Sequence, residues 1–418
     1  MSEVKSSSLT LVDIDSLAPG GDGAGRQRRG DAPGGDASSD GRVVFVPLAA
    51  PGDRVRVQLV REKERVAWGE LVSIERAGPD RVPPPCHLFG ECGGCQWQHV
   101  SIEAQRRAKK IIVERALGLA AIEPVVGAGP PFGYRDRAKL AVGPGAAPRP
   151  VGFRARRSHE IVDVPSCPLF SPALDAALPA VRAFAAQLPA GAEIDLQAGA
   201  EGVHANVAQL DGNGAALARR EADRLLAAGI VGLSIGGKPF VGRPEVDVAE
   251  RGGSPLAIPA GGFAQVGRAG NRVLVDRVLE AVGAAPGAVL ELYAGSGNFT
   301  RELTAQAAPD RVHACEGDPA AVARGARAAP GAAWSARIPD ITADVVVLDP
   351  PREGADAAHL AAATRARRRI VYVSCDPQTL SRDARRIAAA GFRLTRALAI
   401  DLMPQTFHVE VVATFDRG

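Results

Sequence analysis

Three of the chain's six cysteines lie close together, in the stretch CHLFGECGGCQWQH. They are Cys86, Cys92 and Cys95, with the spacing C-x5-C-x2-C. Thiolates bind zinc or an iron-sulfur cluster, and under reducing conditions clustered cysteines are more often metal ligands or reactive groups than disulfide partners. The spacing therefore predicts a metal site and leaves the choice between zinc and iron-sulfur open.

A second group of residues has the pattern of a nucleotide-type site. In LELYAGSGNFT, Glu291 is followed by Gly295 and Gly297 between an apolar run and a helical pattern. Glycines there allow a tight turn and the close approach of a ligand, and an acidic residue can accept hydrogen bonds from an amine or a hydroxyl. Glu316 ends the next apolar run, in ACEGD, where such sheets place a carboxylate on ribose hydroxyls. The pattern favours S-adenosylmethionine over NAD.

Reactive residues follow the next apolar runs. Asp349 lies in LDPPREG, Cys375 lies in VYVSCDPQT, and PQTFHVEVV contains His408 and Glu410 as candidate bases. A lone strand cysteine is commonly a buried apolar residue, but a thiolate beside a methyl donor has a specific use. Its addition to C6 of uracil makes C5 able to accept a methyl group, after which a general base must remove the C5 proton. The pattern predicts this chemistry.

The elements around these residues predict a mostly parallel sheet. From about residue 260, apolar runs alternate with helical patterns, as in AVLELYAG, RVHACEGD, ADVVVLDPP and RRIVYVSCDP. Such alternation is typical of an α/β domain with helices on both faces, in which ligands lie beyond the carboxyl ends of the strands. We therefore expect a Rossmann-like domain that brings the acidic residues and Cys375 to one edge.

The first part of the chain predicts a small β-barrel of the OB-like kind. Residues 8–75 contain short apolar runs separated by Gly-rich turns, and Val55, Val57 and Leu59 alternate with polar residues after the turn residues PGD. The Gly-, Asp- and Ser-rich residues 19–41 predict a mobile loop.

The middle of the chain predicts an α+β domain. Residues 125–260 mix strand patterns with an Ala-rich helix near 172–187, and Ser101 with Glu103 predicts the start of an earlier amphipathic helix. A length of 418 residues also favours two or three domains. We predict three of them: a barrel at 1–78, a central α+β domain with the cysteine cluster at 79–258, and an S-adenosylmethionine-dependent domain at 259–418, with the helix near 101–117 packing on the last.

Composition narrows the location and the partners. The chain has no run of about 18 apolar residues, and its N-terminus MSEVKSSSLT lacks the order of a secretory signal, so we expect a cytoplasmic protein without membrane contact. The formal net charge of +3 says little. The local blocks RRAKK (106–110), RARR (154–157) and RARRR (365–369) are able to meet phosphates, although solvated faces also carry such blocks.

In combination, these motifs resemble a known family. LDPPREG, VYVSCDPQTLSRD and DLMPQTFHVEVV, with 34 residues between Cys375 and Glu410, are similar in order and spacing to the RNA uracil-C5 methyltransferases of the 23S rRNA 5-methyluridine type. RVVFVPLAAPGDRVRVQLV resembles the TRAM domain, a small RNA-binding barrel that precedes the catalytic part in many members. The resemblance covers nearly the whole chain.

The resemblance implies roles for individual residues. Cys375 would be the nucleophile and Glu410 the general base. S-adenosylmethionine and the target base would be held by Gln265, Tyr293, Asn298, Glu316 and Asp349. A [4Fe-4S] cluster would be bound by Cys86, Cys92, Cys95 and Cys167, which leaves Cys315 as a core residue.

The sequence also departs from the family pattern at two places. Gly267 stands where members usually carry Asn, which removes one local hydrogen bond. Between Glu316 and Asp349 the chain is short, and ARGARAAPGAAWSARIPD lacks the usual helix and the acidic residue expected near the adenine.

The function expected from these observations is methylation of C5 of one uridine in RNA, without an obligate protein partner. The TRAM-like segment and the cysteine set favour 23S rRNA over the T-loop of tRNA. Two alternatives from other classes are a non-catalytic RNA-binding iron-sulfur protein and a methyltransferase acting on protein or small molecules. The catalytic pair argues against the first, and the N-terminal barrel argues against the second.

Overall fold

A computed structural model describes residues 9–27, 41–210, 212–249, 254–307 and 311–418. The chain forms two compact units. The first ends at Ile112 and includes Met403–Phe407, and the second comprises Val113–Leu402 and His408–Gly418. Within the described ranges, no helix is long and apolar enough to cross a membrane.

Five strands of the first unit form a closed barrel, which confirms the predicted β-barrel. They are β1 (Leu9–Leu17), β2 (Gly23–Gln27), β3 (Val43–Val46), β4 (Arg54–Glu62) and β5 (Val66–Arg76), hydrogen-bonded in the order β1-β2-β3-β5-β4. Val55, Val57 and Leu59 fill the interior, with exposed fractions of 0%, 0% and 5%. Their polar neighbours along β4 point outward because side chains alternate between the two faces of a strand.

The prediction of one mobile loop over residues 19–41 is wrong for Gly23–Gln27, which form β2 between β1 and β3. The glycines that suggested a loop have a packing role. A Cβ at Gly25 would lie 2.0 Å from the backbone oxygen of Asp13, so this position requires glycine for close strand approach. Residues 28–40, the rest of the predicted loop, lie outside the described residues.

The predicted helix after the cysteines is α1 (Ile102–Leu117). The Ser101 hydroxyl accepts a hydrogen bond from the Ala104 amide at 3.3 Å, which confirms Ser101 as the N-cap.

In the second unit, a seven-stranded mixed sheet confirms the α+β prediction for the middle of the chain. After β6 (Val126–Gly127), which joins another sheet, its strands are β7 (Arg137–Val142), β8 (Val151–Arg154), β9 (Ile161–Asp163), β10 (Glu193–Gly199), β11 (Gly202–Val207), β12 (Ile230–Ile235) and β13 (Lys238–Gly242), in the order β13-β12-β11-β10-β7-β8-β9. The helices α2 (Pro172–Ala185) and α3 (Gly212–Ala227) pack on it, with Leu174 and Leu178 in the shared core. A short ribbon, β14 (Val246–Asp247) and β15 (Ala257–Ile258), follows.

An eight-stranded sheet occupies the rest of the second unit and confirms the Rossmann-like prediction. Its elements in chain order are α4 (Arg268–Val282), β16 (Val289–Leu292), α5 (Thr300–Gln306), β17 (Val312–Cys315), α6 (Pro319–Ala328), β18 (Ala333–Ser335), β19 (Val345–Leu348), α7 (Ala357–Ala363), β20 (Arg369–Ser374), α8 (Pro377–Ala389), β21 (Phe392–Asp401) and β22 (Glu410–Arg417).

The strand order of this sheet places its ligand crevice. The order is β18-β17-β16-β19-β20-β22-β21-β6, in which β18 to β20 run parallel and β22 runs antiparallel to both β20 and β21. After β16 the chain adds strands on one side, and it then returns to add β19 on the other. Ligands of such sheets bind at this reversal, beyond the carboxyl ends of the strands.

The prediction that the short stretch after Glu316 lacks a helix is wrong. Residues Pro319–Ala328 form α6, which Asp318 caps by accepting a hydrogen bond from the Ala320 amide at 3.0 Å. Gly325 lies against the ring of Trp334, where a Cβ would come within 2.1 Å of the ring. Small residues in α6 therefore make room for the Trp334 ring.

Candidate active site

The predicted site residues follow strands that end at one edge of the eight-stranded sheet. Leu292 pairs with Cys315 and with Leu348, and Leu348 pairs with Tyr372. The residues that follow these strands therefore emerge side by side. They include Tyr293, Glu316, Asp349 and Cys375, which the sequence had assigned to one site.

The turn after β16 is built around the Glu316 carboxylate. Its Oε2 accepts a hydrogen bond from the Gly295 amide at 2.9 Å, and its Oε1 accepts one from the Asp318 amide at 2.8 Å. Gly295 has φ +55°, a left-handed conformation that favours glycine. A Cβ at Gly295 or at Gly317 would meet no atom within 4 Å, so open space adjoins both strand ends. The carboxylate acceptor and this space fit a ligand that carries hydroxyl groups, which would donate to Glu316.

Tyr293 and Asn298 are held by side chains. The Tyr293 hydroxyl accepts a hydrogen bond from the Asp356 amide at 3.1 Å and donates one to Asp356 Oδ2 at 3.3 Å. The Tyr293 ring stacks on His359 with the ring centroids 4.2 Å apart. Asn298 exchanges two amide hydrogen bonds with Asn271, at 2.7 and 2.8 Å. Protein groups therefore hold the side chains of both residues in place.

Sequence reasoning missed Asp356 and His359. Asp356 caps α7 by accepting hydrogen bonds from the Ala358 and His359 amides, at 2.9 and 3.0 Å. An acid followed three residues later by histidine at a helix start was the signal, but such a pair is common on solvated helices.

Glu291 has an internal partner. It is 1% exposed and accepts a hydrogen bond from the Thr300 hydroxyl at 2.6 Å. Burial, assisted by the charges of Asp349 and Glu316 and opposed by the Thr300 hydrogen bond, raises the pKa of Glu291 to about 8. Glu291 therefore accepts its hydrogen bond from a hydroxyl group of the protein itself. This bond ties the start of α5, at Thr300, to β16.

Strand register brings Cys375 and Glu410 to the same end of one ladder. In the antiparallel ladder between β20 and β22, Ser374 pairs with Val411. Cys375 follows Ser374 and Glu410 precedes Val411, and the charge of Glu410 acts on the Cys375 thiol. Cys375 is half-buried and therefore within reach of a ligand, whereas Glu410 is only 4% exposed. A half-buried thiol and a buried carboxyl group thus lie at the same end of the ladder.

The electrostatics around Cys375 favour protonated groups near neutral pH. Burial, together with the charges of Glu410 and Asp349 and against that of Arg352, raises the pKa of the Cys375 thiol to about 11. Burial raises the pKa of Asp349 to about 7. Burial, followed by the Asp349 charge, raises the pKa of Glu410 well above its usual range, again against Arg352. Neighbouring buried carboxylates repel each other, so the first proton lost from Asp349 and Glu410 leaves more easily than the second.

The segment that carries Gln265 is anchored to the seven-stranded sheet. Arg137 donates to the Ala264 carbonyl oxygen at 2.8 Å, and the Asp136 amide donates to the Val266 carbonyl oxygen at 2.8 Å. A Cβ at Gly267 would lie 2.0 Å from the Tyr134 carbonyl oxygen. Glycine therefore replaces the Asn usual at this position because the backbones approach too closely for a side chain.

The four cysteines assigned to a metal site are divided between the two units. Cys86, Cys92 and Cys95 lie in a turn-rich segment of the first unit, and Cys167 belongs to the second. The Gly94 amide donates to Cys92 Sγ at 3.5 Å. Among the described residues, no three or more His, Cys, Asp or Glu side chains are arranged to hold a metal ion. Cys315 is 2% exposed, which confirms it as a core residue.

Known proteins resemble both parts of the chain. The family model described as tRNA (Uracil-5-)-methyltransferase matches residues 335–417, and the TRAM domain model matches residues 8–72. The 23S rRNA (uracil(1939)-C(5))-methyltransferase RlmD of Chromohalobacter salexigens is 36% identical in an alignment of 410 positions that covers 90% of this chain and 85% of that protein. The protein of the same name from Salmonella choleraesuis is 33% identical, with 92% and 93% covered.

A solved structure has the same fold over nearly the whole chain. It is the Pyrococcus abyssi tRNA (uracil-54, C5)-methyltransferase in complex with S-adenosyl-L-homocysteine, with a TM-score of 0.74, 24% identity, and 96% of this chain and 99% of that chain covered. The glycine turn, the acidic strand ends and the parallel sheet define a methyltransferase fold, preceded here by a TRAM barrel. The extent of the identity to curated relatives shows that the chain belongs to the family of RNA uracil-C5 methyltransferases.

Proposed function

We propose that the chain methylates C5 of one uridine in RNA, with S-adenosylmethionine as methyl donor, Cys375 as nucleophile and Glu410 as general base. The observation that carries the proposal is the register of β20 and β22, in which Ser374 pairs with Val411, so that Cys375 and Glu410 leave the ladder at the same end. A half-buried thiol beside a buried carboxyl group is the pair that addition to C6 and proton removal from C5 require.

The steps follow from the needs of the uracil ring. S-adenosylmethionine, when bound, supplies an electrophilic methyl group. Cys375 Sγ loses its proton and bonds to C6, and the electrons of the C5–C6 double bond then form the bond from C5 to the methyl carbon. The bond between that carbon and the donor's sulfur would break, leaving S-adenosylhomocysteine. Glu410 then takes the proton from C5, the double bond re-forms, and the bond between Cys375 and C6 breaks. Because the thiol pKa is about 11, a neighbouring carboxylate must accept its proton. Asp349 is the proposed acceptor, since Glu410 has to be ionised when it takes the proton from C5, and Asp349 returns its proton to the departing Cys375 thiolate.

We propose that the cofactor and the target base are bound by the residues that the resemblance implies. These are Gln265, Tyr293, Asn298, Glu316 and Asp349. Support comes from the open space beside Gly295 and from Glu316, whose carboxylate lies at the end of the adjoining strand. Glu316 suits ribose hydroxyls because each carboxylate oxygen can accept more than one hydrogen bond. Asp349 suits the reacting base because its charge already acts on both Cys375 and Glu410.

We propose 23S rRNA as the substrate, with the base extruded into the pocket because a stacked uridine cannot reach a buried thiol. The choice is supported by two relatives named for 23S rRNA at 36% and 33% identity, against 24% for the tRNA enzyme. The test supplies labelled S-adenosylmethionine and equal amounts of unmodified 23S rRNA or tRNA. Labelled 5-methyluridine is expected at one position of 23S rRNA. Label in tRNA alone would reverse the substrate assignment, and label in neither would contradict the function.

We also propose that Cys86, Cys92, Cys95 and Cys167 bind a [4Fe-4S] cluster with a structural role. Four thiolates are a complete ligand set for such a cluster, and a backbone amide already donates to the Cys92 sulfur, as amides do around cluster sulfurs. Anaerobically purified protein is expected to be brown and to hold about four iron and four sulfide ions per chain.

Cys92→Ser tests the cluster assignment and is expected to lose the colour and most of the iron. Cys315→Ala is the matched control, because this cysteine is a core residue of the second unit and is not assigned to the cluster, and it is expected to keep both. Colourless protein containing one zinc ion would replace the iron-sulfur assignment with zinc.

The pH dependence of kcat/KM is expected to show an acid limb near neutrality. Glu410 must be ionised to accept a proton, but its pKa is raised well above the usual range and that of Asp349 is about 7. Activity should therefore rise with pH from 6 towards 9 as the pair loses protons. Asp349→Asn removes the repulsion on Glu410, which should shift the acid limb to lower pH even if kcat falls. A profile that is flat over this range in the wild type would contradict the assignment of Glu410.

A further inference from the structure

One fully buried carboxylate in the second unit is not used by the proposed chemistry. Asp383, in α8, is 0% exposed. Its Oδ2 accepts hydrogen bonds from the Tyr372 hydroxyl at 2.8 Å and from the Ala355 amide at 3.0 Å. Its Oδ1 accepts one from Arg382 Nε at 2.9 Å. A buried charge persists only with such a complete set of donors, so these contacts hold one another in a single geometry.

The partners of Asp383 belong to the segments that carry the proposed reacting groups. Tyr372 lies in β20, three residues before Cys375, and α8 begins two residues after Cys375. Ala355 ends the turn that begins after Asp349. Asp383 therefore joins the turn after β19 to both sides of the segment that contains Cys375.

The same turn is fastened at two further points. Arg382 Nη2 donates to the Glu353 carbonyl oxygen at 2.8 Å. Gly354 has φ +83°, and a Cβ there would lie 2.3 Å from Arg382 Nη2 and 2.6 Å from Asp383 Oδ2. Three consecutive residues of the turn thus contact the pair Arg382 and Asp383. The turn has little freedom to move while that pair remains in place.

The turn also carries the cation of the site. Arg352 directly precedes the fastened residues, and its charge opposes the rise in the pKa of both Cys375 and Glu410. The position of the Arg352 backbone therefore decides how strongly this charge acts on the two groups.

We infer that Asp383 is a positioning residue for methyl transfer, because it clamps the turn 351–355 so that Arg352 stays beside Cys375 and Glu410. Asp383 itself contacts neither the substrate nor the cofactor. The inference rests on the proposed function of Cys375 and gives a role to Asp383, the last residue of VYVSCDPQTLSRD, to which the resemblance assigned none. Loosening the clamp should affect the reacting geometry much more than cofactor binding.

The test replaces Asp383 with Asn, which keeps the size of the side chain but removes its charge and turns an amide towards its donors. Misplacement of reacting groups by about 1 Å costs on the order of 100-fold in rate. We expect kcat for RNA methylation to fall by about 10- to 100-fold, while the KM for S-adenosylmethionine stays within about twofold. Asp416→Asn is the matched control, since Asp416 binds an arginine and a hydroxyl at the far end of β22.

A second measurement reports on Arg352 directly. Iodoacetamide reacts with thiolates, so the alkylation rate of the peptide containing Cys375, followed by mass spectrometry from pH 7 to 10, gives the ionisation of that thiol. In Asp383→Asn the profile should move to higher pH, with alkylation at least about threefold slower at pH 9. Asp416→Asn should leave it unchanged.

If Asp383→Asn does not fold, Tyr372→Phe tests the same inference, because this substitution removes only one hydroxyl group from the core. It should shift the alkylation profile in the same direction by a smaller amount. Wild-type kcat and an unmoved alkylation profile in either folded variant would overturn the inference. Methylation that survives in Cys375→Ala would instead overturn the proposed nucleophile, while the alkylation profile would still test the clamp.

Discussion

Cys375→Ala is expected to lower kcat for uridine methylation by at least about 10⁴-fold, the size of loss seen when a covalent nucleophile is removed. The reason is that uracil C5 attacks a methyl group only after a nucleophile has added at C6. Cys315 ends β17 at the same edge of the sheet, but it is only 2% exposed and therefore cannot take the place of Cys375. Single-turnover transfer of labelled methyl groups to unmodified 23S rRNA measures the loss.

Two controls separate loss of the thiol from loss of the site. The variant should bind S-adenosylhomocysteine as the wild type does, because the side chain assigned to the ribose is Glu316. Cys315→Ala should retain methylation. Label transfer by Cys375→Ala at a rate within about tenfold of the wild type would remove the thiol from the mechanism.

The barrel and the parallel sheet were predictable because their signals are local. Alternation at Val55, Val57 and Leu59 has the period of a strand with one buried face, and the structure buries all three. Apolar runs that end in Glu316 or Asp349 have the composition of buried parallel strands, and the strand ends are adjacent as expected. Periodicity and chain order were enough to predict both folds.

The errors arose where glycine and alanine have packing roles. Gly25 lies in β2 because two backbones approach closely, although glycine-rich sequence is typical of loops. In α6, position 325 is a glycine because the Trp334 ring packs against the helix there and leaves no room for a side chain. Local propensity misjudges such positions because the deciding contact comes from a residue distant in sequence.

The pairing of Cys375 with Glu410 could not be predicted from sequence without the family resemblance. Their separation by 34 residues has no periodicity that reports on contact. The two meet because β22 runs antiparallel into the sheet beside β20, and a register change of one residue would turn Glu410 to the other face. Asp383 was missed for a similar reason, because an Arg-Asp pair in a helix is usually solvated, and only the turn after Asp349 buries it.

Glu410→Gln is expected to separate methyl transfer from product release. Glutamine has the shape of the protonated acid but cannot take the C5 proton, so the C5–C6 double bond cannot re-form and the bond between Cys375 and C6 persists. Turnover should fall by about 10²- to 10⁴-fold, the usual contribution of a general base. A covalent complex of protein and RNA should accumulate at the same time, visible as a slower band on a denaturing gel.

The complex should require S-adenosylmethionine and should be absent from the double variant Cys375→Ala/Glu410→Gln, because the thiol is the point of attachment. Glu353→Gln is the matched control, since the Glu353 side chain is exposed while Glu410 is buried. It should turn over normally and leave no complex. Rapid release of methylated RNA by Glu410→Gln would assign the C5 proton to another acceptor. The candidate is Asp349, the other carboxyl group whose charge acts on Cys375. Trapping with Glu410→Gln and normal release with Asp349→Asn would instead fix Glu410 as the base.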